Sequence, residues 1–264
     1  MSNVVCIIQA RLTSTRLPNK VLLPICGKPM LWHLIERVKR CKLISEIVVA
    51  MPFSRDNSKI SKTASLCGVN SVYHKGKIDD LVGRHLAVAK KFKADVVVRI
   101  PSDNPCIEPS EVDRIIEAAA QAYHPNQYMY SNTHNIKENG YSDGLGAEVY
   151  SMKLLQWINF NATTQEYREH PHKICYDKDI VKTISCTEDI RRPELRLDVN
   201  TQKDFDFITE IYEALYPKNH EFSIRDIIAY LDDRKDNKSL QNKLASKPFY
   251  KETMLNDLFK KVLM

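Results

Sequence analysis

The segment of this sequence with the richest chemistry is a short loop that carries three cationic side chains. Arg11, Arg16 and Lys20 are spaced by five and four residues, and three consecutive hydroxyl residues, 13–15, lie between the first two. Guanidinium forks, ammonium groups and short hydroxyl donors are the groups that bind phosphate oxygens. The loop lacks the glycine and lysine pattern of a Walker A motif and the three glycines of a dinucleotide-binding turn. It indicates either a phosphate-binding loop or a basic loop that is simply solvated.

A carboxylate occupies a comparable position further along the chain. Asp103 follows an apolar run that predicts a strand, and it precedes Pro105. The carboxyl ends of parallel strands meet at one edge of an open sheet, where ligands bind, so we expect Asp103 to face the same crevice as the basic loop. Mg²⁺ is usually held by one or two carboxylates with phosphate oxygens and waters. Asp103 is therefore a candidate Mg²⁺ ligand, and the alternative is a turn formed by its side chain.

Both segments depend on an alternation of strands and helices in the first 123 residues. Asp79 or Asp80 is expected to cap the third helix, and Ser110 the fourth. This alternation favours right-handed βαβ units, so the sequence predicts an α/β protein with a mostly parallel sheet and helices on both faces. Apolar runs predict strands at 4–8, 46–50, 72–73 and 95–100, and helical apolar spacing predicts helices over 30–42, 57–67, 79–93 and 109–123.

The pattern changes after residue 123, where residues 124–146 are polar and rich in turn residues. We assign residues 1–233 to one domain, in which 124–175 is an insertion, and residues 234–264 to a basic C-terminal tail. The remaining strands are predicted at 148–150, 180–185 and 195–199, and the remaining helices over 151–157, 202–215 and 223–232.

Composition and charge exclude several classes of protein. The net charge is +6, but residues 234–264 hold eight Lys/Arg and three Asp/Glu, so the rest of the chain is nearly neutral and no nucleic-acid partner is expected. The sequence contains no run of eighteen apolar residues, so no transmembrane helix is expected. The seven cysteines include no C-x-x-C pair, which argues against a zinc site or a disulfide framework. Reduced thiols and the absence of a signal-like start suit a cytoplasmic protein.

The basic loop and several later blocks resemble one enzyme family. They are similar to the CMP-sugar-acid synthetases, which include the acylneuraminate cytidylyltransferases, and more closely to the spore-coat polysaccharide cytidylyltransferases. The resemblance covers about residues 3–215, and it implies a Rossmann-like nucleotidyltransferase fold, CTP as donor, Mg²⁺ and a homodimer that forms through 124–175. The blocks are ARLTSTRLPNKV at 10–21, GKPM at 27–30, DDLVGR at 79–84, VRIPSDNP at 98–105, DGLGAEV at 143–149, REH at 168–170 and LRLDVNT at 195–201.

The resemblance also implies roles for residues on the nucleotide side. The triphosphate contacts would come from Arg11, Ser14, Arg16 and Lys20. The cytidine would be held by the backbone around Gln9 and Ala10, with residues near Arg84 and Arg99. Of these residues and the carboxylate described above, we expect Arg11, Arg16, Lys20 and Asp103 to be catalytic.

The metal and acceptor sides are also implied by the resemblance. The family's second metal ligand is an Asp in a V-D-T motif, and here Asn200 replaces it. Asp198 lies two residues earlier and would share its face of a regular strand, so either residue is a candidate beside Asp103. The acceptor pocket would involve Asp143, Glu148, Arg168 and His170. The alternative is turn chemistry at Asp143 and a buried, paired Glu148.

The sequence therefore predicts a CTP-dependent cytidylyltransferase that transfers CMP to a sugar acid or related anionic acceptor and releases pyrophosphate for surface-glycan biosynthesis. Two alternatives stay open. One keeps CTP but uses a small phosphate or phosphonate as acceptor. The other is a catalytically weak nucleotide-binding protein, which the replacement at Asn200 suggests.

Overall fold

The apolar run near the start of the chain is the central strand of the molecule. In the computed structural model, which describes residues 2–133 and 136–234, the strand β1 (Val4–Gln9) pairs on both sides with parallel neighbours. The side chains of Val5, Cys6, Ile7 and Ile8 are 0% exposed, as expected where helices cover both faces of a sheet.

The elements of the described residues follow in chain order. The strands are β1 (Val4–Gln9), β2 (Pro24–Ile25), β3 (Lys28–Pro29), β4 (Glu46–Pro52), β5 (Asn70–His74), β6 (Val96–Pro101), β7 (Met129–Ser131), β8 (Glu148–Ser151) and β9 (Val181–Thr183). The α-helices are α1 (Met30–Val38), α2 (Ser58–Leu66), α3 (Leu81–Lys91), α4 (Pro109–Gln121), α5 (Ile136–Asn139), α6 (Met152–Asn161), α7 (Gln165–Glu169), α8 (Pro171–Asp177), α9 (Gln202–Leu215) and α10 (Ile224–Asp232). Short 3₁₀ helices span Lys20–Leu22 and Glu188–Ile190.

The main sheet has seven strands in the order β5-β4-β1-β6-β8-β7-β9. The pairs β5–β4, β4–β1, β1–β6 and β7–β9 are parallel, whereas β8 is antiparallel to both of its neighbours. Helices lie on both faces, because the side chains of β1 alternate between two apolar clusters. Cys6 and Ile8 pack with α1, α2, α4, α9 and α10, and Val5 and Ile7 pack with α3, α6 and α8. The predicted α/β architecture with a mostly parallel sheet is confirmed.

Helix caps show where local sequence chemistry was sufficient. Asp80 caps α3, and its carboxylate accepts a hydrogen bond from the backbone N–H of Gly83 at 2.9 Å, as predicted. Ser110 does not cap α4, because Pro109 already occupies the first turn and the N-cap position falls at Glu108. The Ser110 hydroxyl instead donates to the Glu108 carboxylate at 3.0 Å.

The predicted strand at 195–199 is wrong. This segment joins no sheet, and only Arg196 forms an isolated bridge, to Asp143. Its backbone groups bond to loops instead: Leu197 N–H donates to the Asp143 carbonyl at 2.8 Å, and Val199 N–H donates to the Asp103 carbonyl at 2.8 Å. The segment is extended because two functional loops hold it, and this pairing leaves no signal in its own apolar pattern.

Residues 124–175 contain more structure than their polar composition predicts. The strands β7 and β8 lie within them and complete the sheet, and α7 and α8 follow without having been predicted. The division into a domain at 1–233 and a tail stays a prediction, because 235–264 lie outside the described residues. Within the described part of the chain, no helix is long and apolar enough to cross a membrane.

Candidate functional site

A cavity of about 360 Å³ lies at the carboxyl ends of β1 and β6. All eight residues predicted to hold the nucleotide line it, together with Asp103, His170 and Asn200 from the metal and acceptor predictions. Five basic and two acidic side chains face the cavity, so its charge favours anions. The lining residues are Gln9, Ala10, Arg11, Ser14, Thr15, Arg16, Lys20, Val21, Leu81, Arg84, Arg99, Pro101, Ser102, Asp103, Glu169, His170 and Asn200.

The basic loop has a defined backbone that presents its cations. The carbonyl of Leu12 accepts hydrogen bonds from the backbone N–H groups of Ser14 at 2.9 Å and Asn19 at 3.2 Å, which closes the loop. Leu17 is buried and anchors the loop to the core. Asn19 has a φ of 57°, a left-handed conformation that asparagine tolerates better than most residues. The loop therefore returns the chain to Lys20 beneath the cavity.

Lys20 joins three segments at the floor of the cavity. Its ammonium group donates to the Asp103 carboxylate at 2.9 Å and to the Val199 carbonyl at 2.6 Å. Nearby, Arg16 donates to the side-chain oxygen of Asn200 at 2.6 Å. The loop after β1, the end of β6 and the segment before α9 thus meet at one point, although the sequence separates them by many residues.

Arg11 is paired with acidic side chains that lie far from it in the sequence and that no motif connects to it. Its guanidinium lies 3.0 Å from Asp79 and 3.8 Å from Glu169. The Arg11 and Asp79 side chains are each 40% exposed, so the pair is weak and screened by solvent. An incoming phosphate group would therefore compete with these carboxylates for Arg11.

Arg84 is a buried cation at the cavity wall. It is 2% exposed, and its guanidinium donates to the Ile78 carbonyl at 2.5 Å. Burial, helped by the nearby charge of Arg11, lowers the pKa of Arg84 to about 10, so the group remains protonated at neutral pH. The Nε–H of Arg84 has no hydrogen-bond acceptor among the described residues, and a buried donor of this kind favours a ligand that supplies one.

Arg99 and Glu148 form a buried ion pair beside the cavity. They face each other across β6 and β8, and Arg99 Nη1 lies 2.5 Å from Glu148 Oε1. Burial alone would lower the pKa of Arg99, but the charge and hydrogen bond of Glu148, together with the nearby Tyr150 and Asp103, outweigh burial and raise that pKa. The prediction that Glu148 contacts the acceptor is corrected: its side chain is only 3% exposed and does not line the cavity. The alternative of a buried, paired Glu148 describes the structure.

Two further acceptor predictions, Arg168 and Asp143, stay predictions, although each side chain has other partners in the structure. Arg168 donates to Asp80 at 2.7 Å and to the side-chain oxygen of Asn159 at 3.0 Å, so it supports the start of α3 and does not face the cavity. Asp143 lies 4.0 Å from the guanidinium of Arg196. Gly144, at a φ of 89°, packs so tightly on 197–198 that a Cβ would lie 2.7 Å from the Asp198 nitrogen. This is the turn chemistry considered at Asp143.

The candidate metal ligands are divided between two environments. Asp103 and Asn200 line the cavity, whereas Asp198 does not. Asp198 and Asn200 do not share a strand face, because 195–199 is not a strand. Instead, the side-chain N–H of Asn200 donates a hydrogen bond to the Asp198 carboxylate. Arg196 also holds Asp198, at 3.2 Å. Burial and the neighbouring charge of Asp143 raise the pKa of Asp198.

The cavity presents side-chain oxygen atoms of the kind that Mg²⁺ binds. Within the described residues, no group of three or more His, Cys, Asp and Glu side chains is arranged to hold a metal on its own. Mg²⁺ does not require such a group, because it keeps waters and binds one or two carboxylates together with substrate phosphates. One carboxylate at Asp103 and one amide oxygen at Asn200, facing a cationic phosphate loop, fit that mode of binding.

The sequence of this chain matches a known family over most of its length. Residues 5–247 match the family model described as cytidylyltransferase. The chain belongs to the cytidylyltransferase family. It is accordingly a CTP-dependent nucleotidyltransferase, as the sequence resemblance implied.

Individual relatives agree with that family. This cytidylyltransferase is 30% identical to an uncharacterized protein of Methanocaldococcus jannaschii over 249 residues, which are 93% of this chain and 97% of the relative. It is 27% identical to the spore coat polysaccharide biosynthesis protein SpsF of Bacillus subtilis, over 81% of this chain and 88% of that protein. It is 36% identical to the 3-deoxy-manno-octulosonate cytidylyltransferase of Geobacter sulfurreducens, over 45% of this chain and 46% of that enzyme.

Solved structures show the same fold. A cytidylyltransferase from Leptospira borgpetersenii superposes with a TM-score of 0.81 at 23% identity, over 95% of this chain and all of the other. CMP:2-keto-3-deoxy-manno-octonic acid synthetase complexed with CTP gives a TM-score of 0.58 at 18% identity, over 81% of this chain and 99% of the other. The Rossmann-like nucleotidyltransferase fold of this cytidylyltransferase is thereby confirmed.

Proposed function

We propose that this cytidylyltransferase transfers CMP from CTP to a sugar acid or a related anionic acceptor, for the synthesis of a surface glycan. The observation that carries the proposal is the meeting of the basic loop and Asp103 in one cavity, joined by the 2.9 Å contact of Lys20 with Asp103. The names of two relatives, a 3-deoxy-manno-octulosonate cytidylyltransferase and a spore coat polysaccharide biosynthesis protein, support this choice of acceptor.

The reaction requires alignment and charge neutralisation more than covalent help from the protein. An acceptor hydroxyl oxygen attacks the α-phosphorus of CTP in line. The new oxygen–phosphorus bond forms as the bond to pyrophosphate breaks, and the hydroxyl proton passes to water. Arg16 and Lys20, at the loop end of the cavity, are positioned to neutralise the phosphate oxygens and the leaving pyrophosphate.

We propose Mg²⁺ as the metal, with Asp103 as its main protein ligand and Asn200 as the second. When bound, the ion supplies positive charge to the phosphate oxygens of the donor. The chain's own part is to hold Asp103 in place, which Lys20 does at 2.9 Å. Arg16 fixes the Asn200 amide so that its oxygen points to the loop, at 2.6 Å.

The anionic acceptor is supported by the charge of the cavity. Five cations line it against two carboxylates, Asp103 and Glu169, so the cavity favours anionic groups over neutral ones. His170 also lies on the lining, at the side of the cavity formed by α7 and the loop that follows it. We propose that His170 and the cations of the lining contact the acceptor in place of Glu148 and Arg168.

The test is pyrophosphate release with CTP and Mg²⁺ across a matched panel of acceptors. We expect turnover with a sugar acid, and no turnover with the corresponding neutral sugar. Turnover with only small phosphates or phosphonates would replace the acceptor class but keep the donor. Binding of CTP without release of pyrophosphate from any acceptor would favour the alternative of a weakly catalytic nucleotide-binding protein, in which the Asn200 amide is held by Arg16 and Asp198.

We also propose a homodimer, in keeping with the resemblance described above. The exposed aromatic residues Trp157 and Phe160 on α6, which are 38% and 84% exposed, lie within 124–175 and support that segment as the contact. Light scattering at micromolar concentration should give twice the mass of the 30.5 kDa chain. A mass equal to one chain would remove this part of the proposal.

A further inference from the structure

We propose that Glu148 and Arg99 hold the side-chain amide of Gln9 in one orientation, and that this fixed amide selects cytosine over uracil in the donor nucleotide. The inference rests on the use of CTP in the cavity described above. It gives Glu148, which does not reach the cavity, a positioning role in place of the predicted contact with the acceptor.

The three side chains form one chain of contacts from the core to the cavity. Glu148 Oε1 accepts a hydrogen bond from Arg99 Nη1 at 2.5 Å, and Arg99 Nε donates to Gln9 Oε1 at 3.0 Å. The side chains of Glu148 and Arg99 are 3% and 7% exposed, and Gln9 lines the cavity at the end of β1. Each residue stands on a paired strand: Arg99 lies opposite Glu148 in β8, and it is two residues before Pro101, the partner of Gln9 in β6.

The orientation of the Gln9 amide follows from hydrogen-bond chemistry. A guanidinium group only donates, so the atom of Gln9 that faces Arg99 is the carbonyl oxygen. The NH₂ group therefore points away from Arg99, and no hydrogen bond joins it to another described residue. A free glutamine can turn its amide by half a rotation and offer either a donor or an acceptor. Arg99 removes that choice.

The backbone beside Gln9 is less available to a base than its side chain. The Gln9 carbonyl accepts from the N–H of Ser102 at 3.2 Å, and the N–H of Ala10 donates to the Ala50 carbonyl at 3.0 Å. Both groups were expected to hold the cytidine, and both are already used in the sheet. The Ala10 N–H is thus not available to a base, whereas the Gln9 NH₂ group is a donor at this strand end that can read a base edge.

The two pyrimidines differ in what they offer to a fixed donor. The N3 atom of cytosine is an acceptor beside the O2 acceptor, whereas the N3 atom of uracil carries a hydrogen and donates. An NH₂ group aimed at N3 pairs with cytosine and opposes uracil donor to donor. A site built around one polarity rejects the wrong partner strongly, because the buried group is then left unpaired.

Glu148 is needed because Arg99 is buried. Without the carboxylate, the guanidinium would lose its charge partner inside the sheet, and it would turn toward the phosphates or water in the cavity. His172 Nδ1 lies 3.6 Å from the same Glu148 oxygen, beyond hydrogen-bond distance, so Arg99 is the group that holds this oxygen. The charge of Glu148 thus acts on the base through Arg99 and Gln9, at a distance from any reacting atom.

The test compares CTP with UTP in turnover and in binding by calorimetry. For Glu148→Gln, which keeps the shape but removes the charge, we expect the ratio of kcat/KM for CTP to that for UTP to fall by roughly ten-fold or more, with a parallel fall in the ratio of affinities. Glu148→Asp keeps the charge and should restore part of the ratio. Gln9→Glu replaces the donor with an acceptor, so it should weaken CTP and strengthen UTP in absolute terms.

The matched control is Glu166→Gln, which removes an exposed carboxylate that pairs only loosely with Lys173, at 3.7 Å, and it should leave the ratio unchanged. An unchanged ratio in folded Glu148→Gln, or equal affinity of the unmutated protein for CTP and UTP, overturns the inference. If Glu148→Gln does not fold, Gln9→Glu decides. If no acceptor is turned over, the proposed acceptor fails, and the ratio of affinities still tests the selection of the base.

Discussion

The nucleotide side of the site and its acceptor side take their residues from the chain in different ways. On the nucleotide side, three cationic residues and one hydroxyl residue are assigned to the triphosphate. They come from one loop of ten residues, 11–20, and all four line the cavity. On the acceptor side, four residues were predicted from two separate blocks, 143–149 and 168–170, and only His170 lines the cavity. Asp143, Glu148 and Arg168 are tied to Arg196, Arg99 and Asp80.

The difference teaches that a loop which leaves one strand is aimed by that strand alone. Its side chains stay close together for that reason, and contacts such as those of Lys20 with Asp103 and Val199 then fix them in place. Residues from several segments instead meet partners from other segments first, and a buried charge without a partner is too costly to leave free.

The largest effect is expected for Asp103→Asn. The change keeps the shape of the side chain but removes the charge that faces the phosphate loop, so kcat should fall by roughly 10²–10³-fold with the fold intact. Pyrophosphate release at several Mg²⁺ concentrations, with circular dichroism as the check on folding, measures it. Asn200→Asp should maintain or increase activity, and Asp198→Asn should change it little because Arg196 and Asn200 already hold that carboxylate. Wild-type turnover and Mg²⁺ dependence in Asp103→Asn would refute the assignment.

Arg16→Ala should weaken CTP binding by about 1.5–3 kcal/mol, because a charge-assisted contact to the triphosphate is lost. Calorimetry with CTP measures this directly. The control is Arg225→Ala, which removes an arginine paired with Asp189 on the surface, where both side chains are half exposed. Equal losses in the two variants would mean that overall charge, and not the loop, governs binding.

On the acceptor side, Arg168→Ala should act on stability more than on the substrate. Arg168 holds Asp80, which caps α3, so the free energy of unfolding should fall by about 1 kcal/mol, and KM for the acceptor should stay nearly constant. Urea denaturation and steady-state kinetics separate the two readings. Lys173→Ala, whose ion pairs are 3.7 Å long, is the control for a nearby surface charge. A raised KM with unchanged stability would return Arg168 to the acceptor pocket.

The smallest effect is expected for Asp79→Asn. Removing this carboxylate frees Arg11 from its 3.0 Å partner, and CTP binding should tighten by about 0.2–1 kcal/mol. Since the pair is exposed, the gain should shrink at high salt. Calorimetry at two salt concentrations tests both statements, and weaker binding at low salt would show that Asp79 orients Arg11 instead of restraining it.

Several features were readable from the sequence because they depend on neighbouring residues. The strand around Ile7 and the helix α9 carry strong periodic signals, and the predicted bounds 202–215 of that helix match the structure. The cap at Asp80 was also found, because an N-cap is a local contact. Local chemistry likewise explains why the loop from Arg11 to Lys20 was recognised as one unit.

Other features depend on residues far apart in the chain and were missed. The segment 195–199 is extended because Asp103 and Asp143 bond to its backbone, and no apolar pattern within it reports those partners. No pattern in the sequence predicts the pairing of Arg11 with Asp79 and Glu169 either. Glu148 carried a partial signal: a carboxylate within an otherwise apolar strand suggests a buried charge partner, here Arg99 on the neighbouring strand.

The two hydrogen bonds of the Lys20 ammonium group also bear on how the enzyme is made. They join residues that are 83 and 179 positions apart in the chain, to Asp103 and to Val199. A ribosome that adds roughly 5–20 residues per second exposes the basic loop many seconds before residue 199 emerges. A nascent or truncated chain that ends before residue 199 therefore has the cationic loop but lacks the hydrogen bond between Lys20 and Val199. Competence for catalysis should appear only when nearly the whole domain has been synthesised.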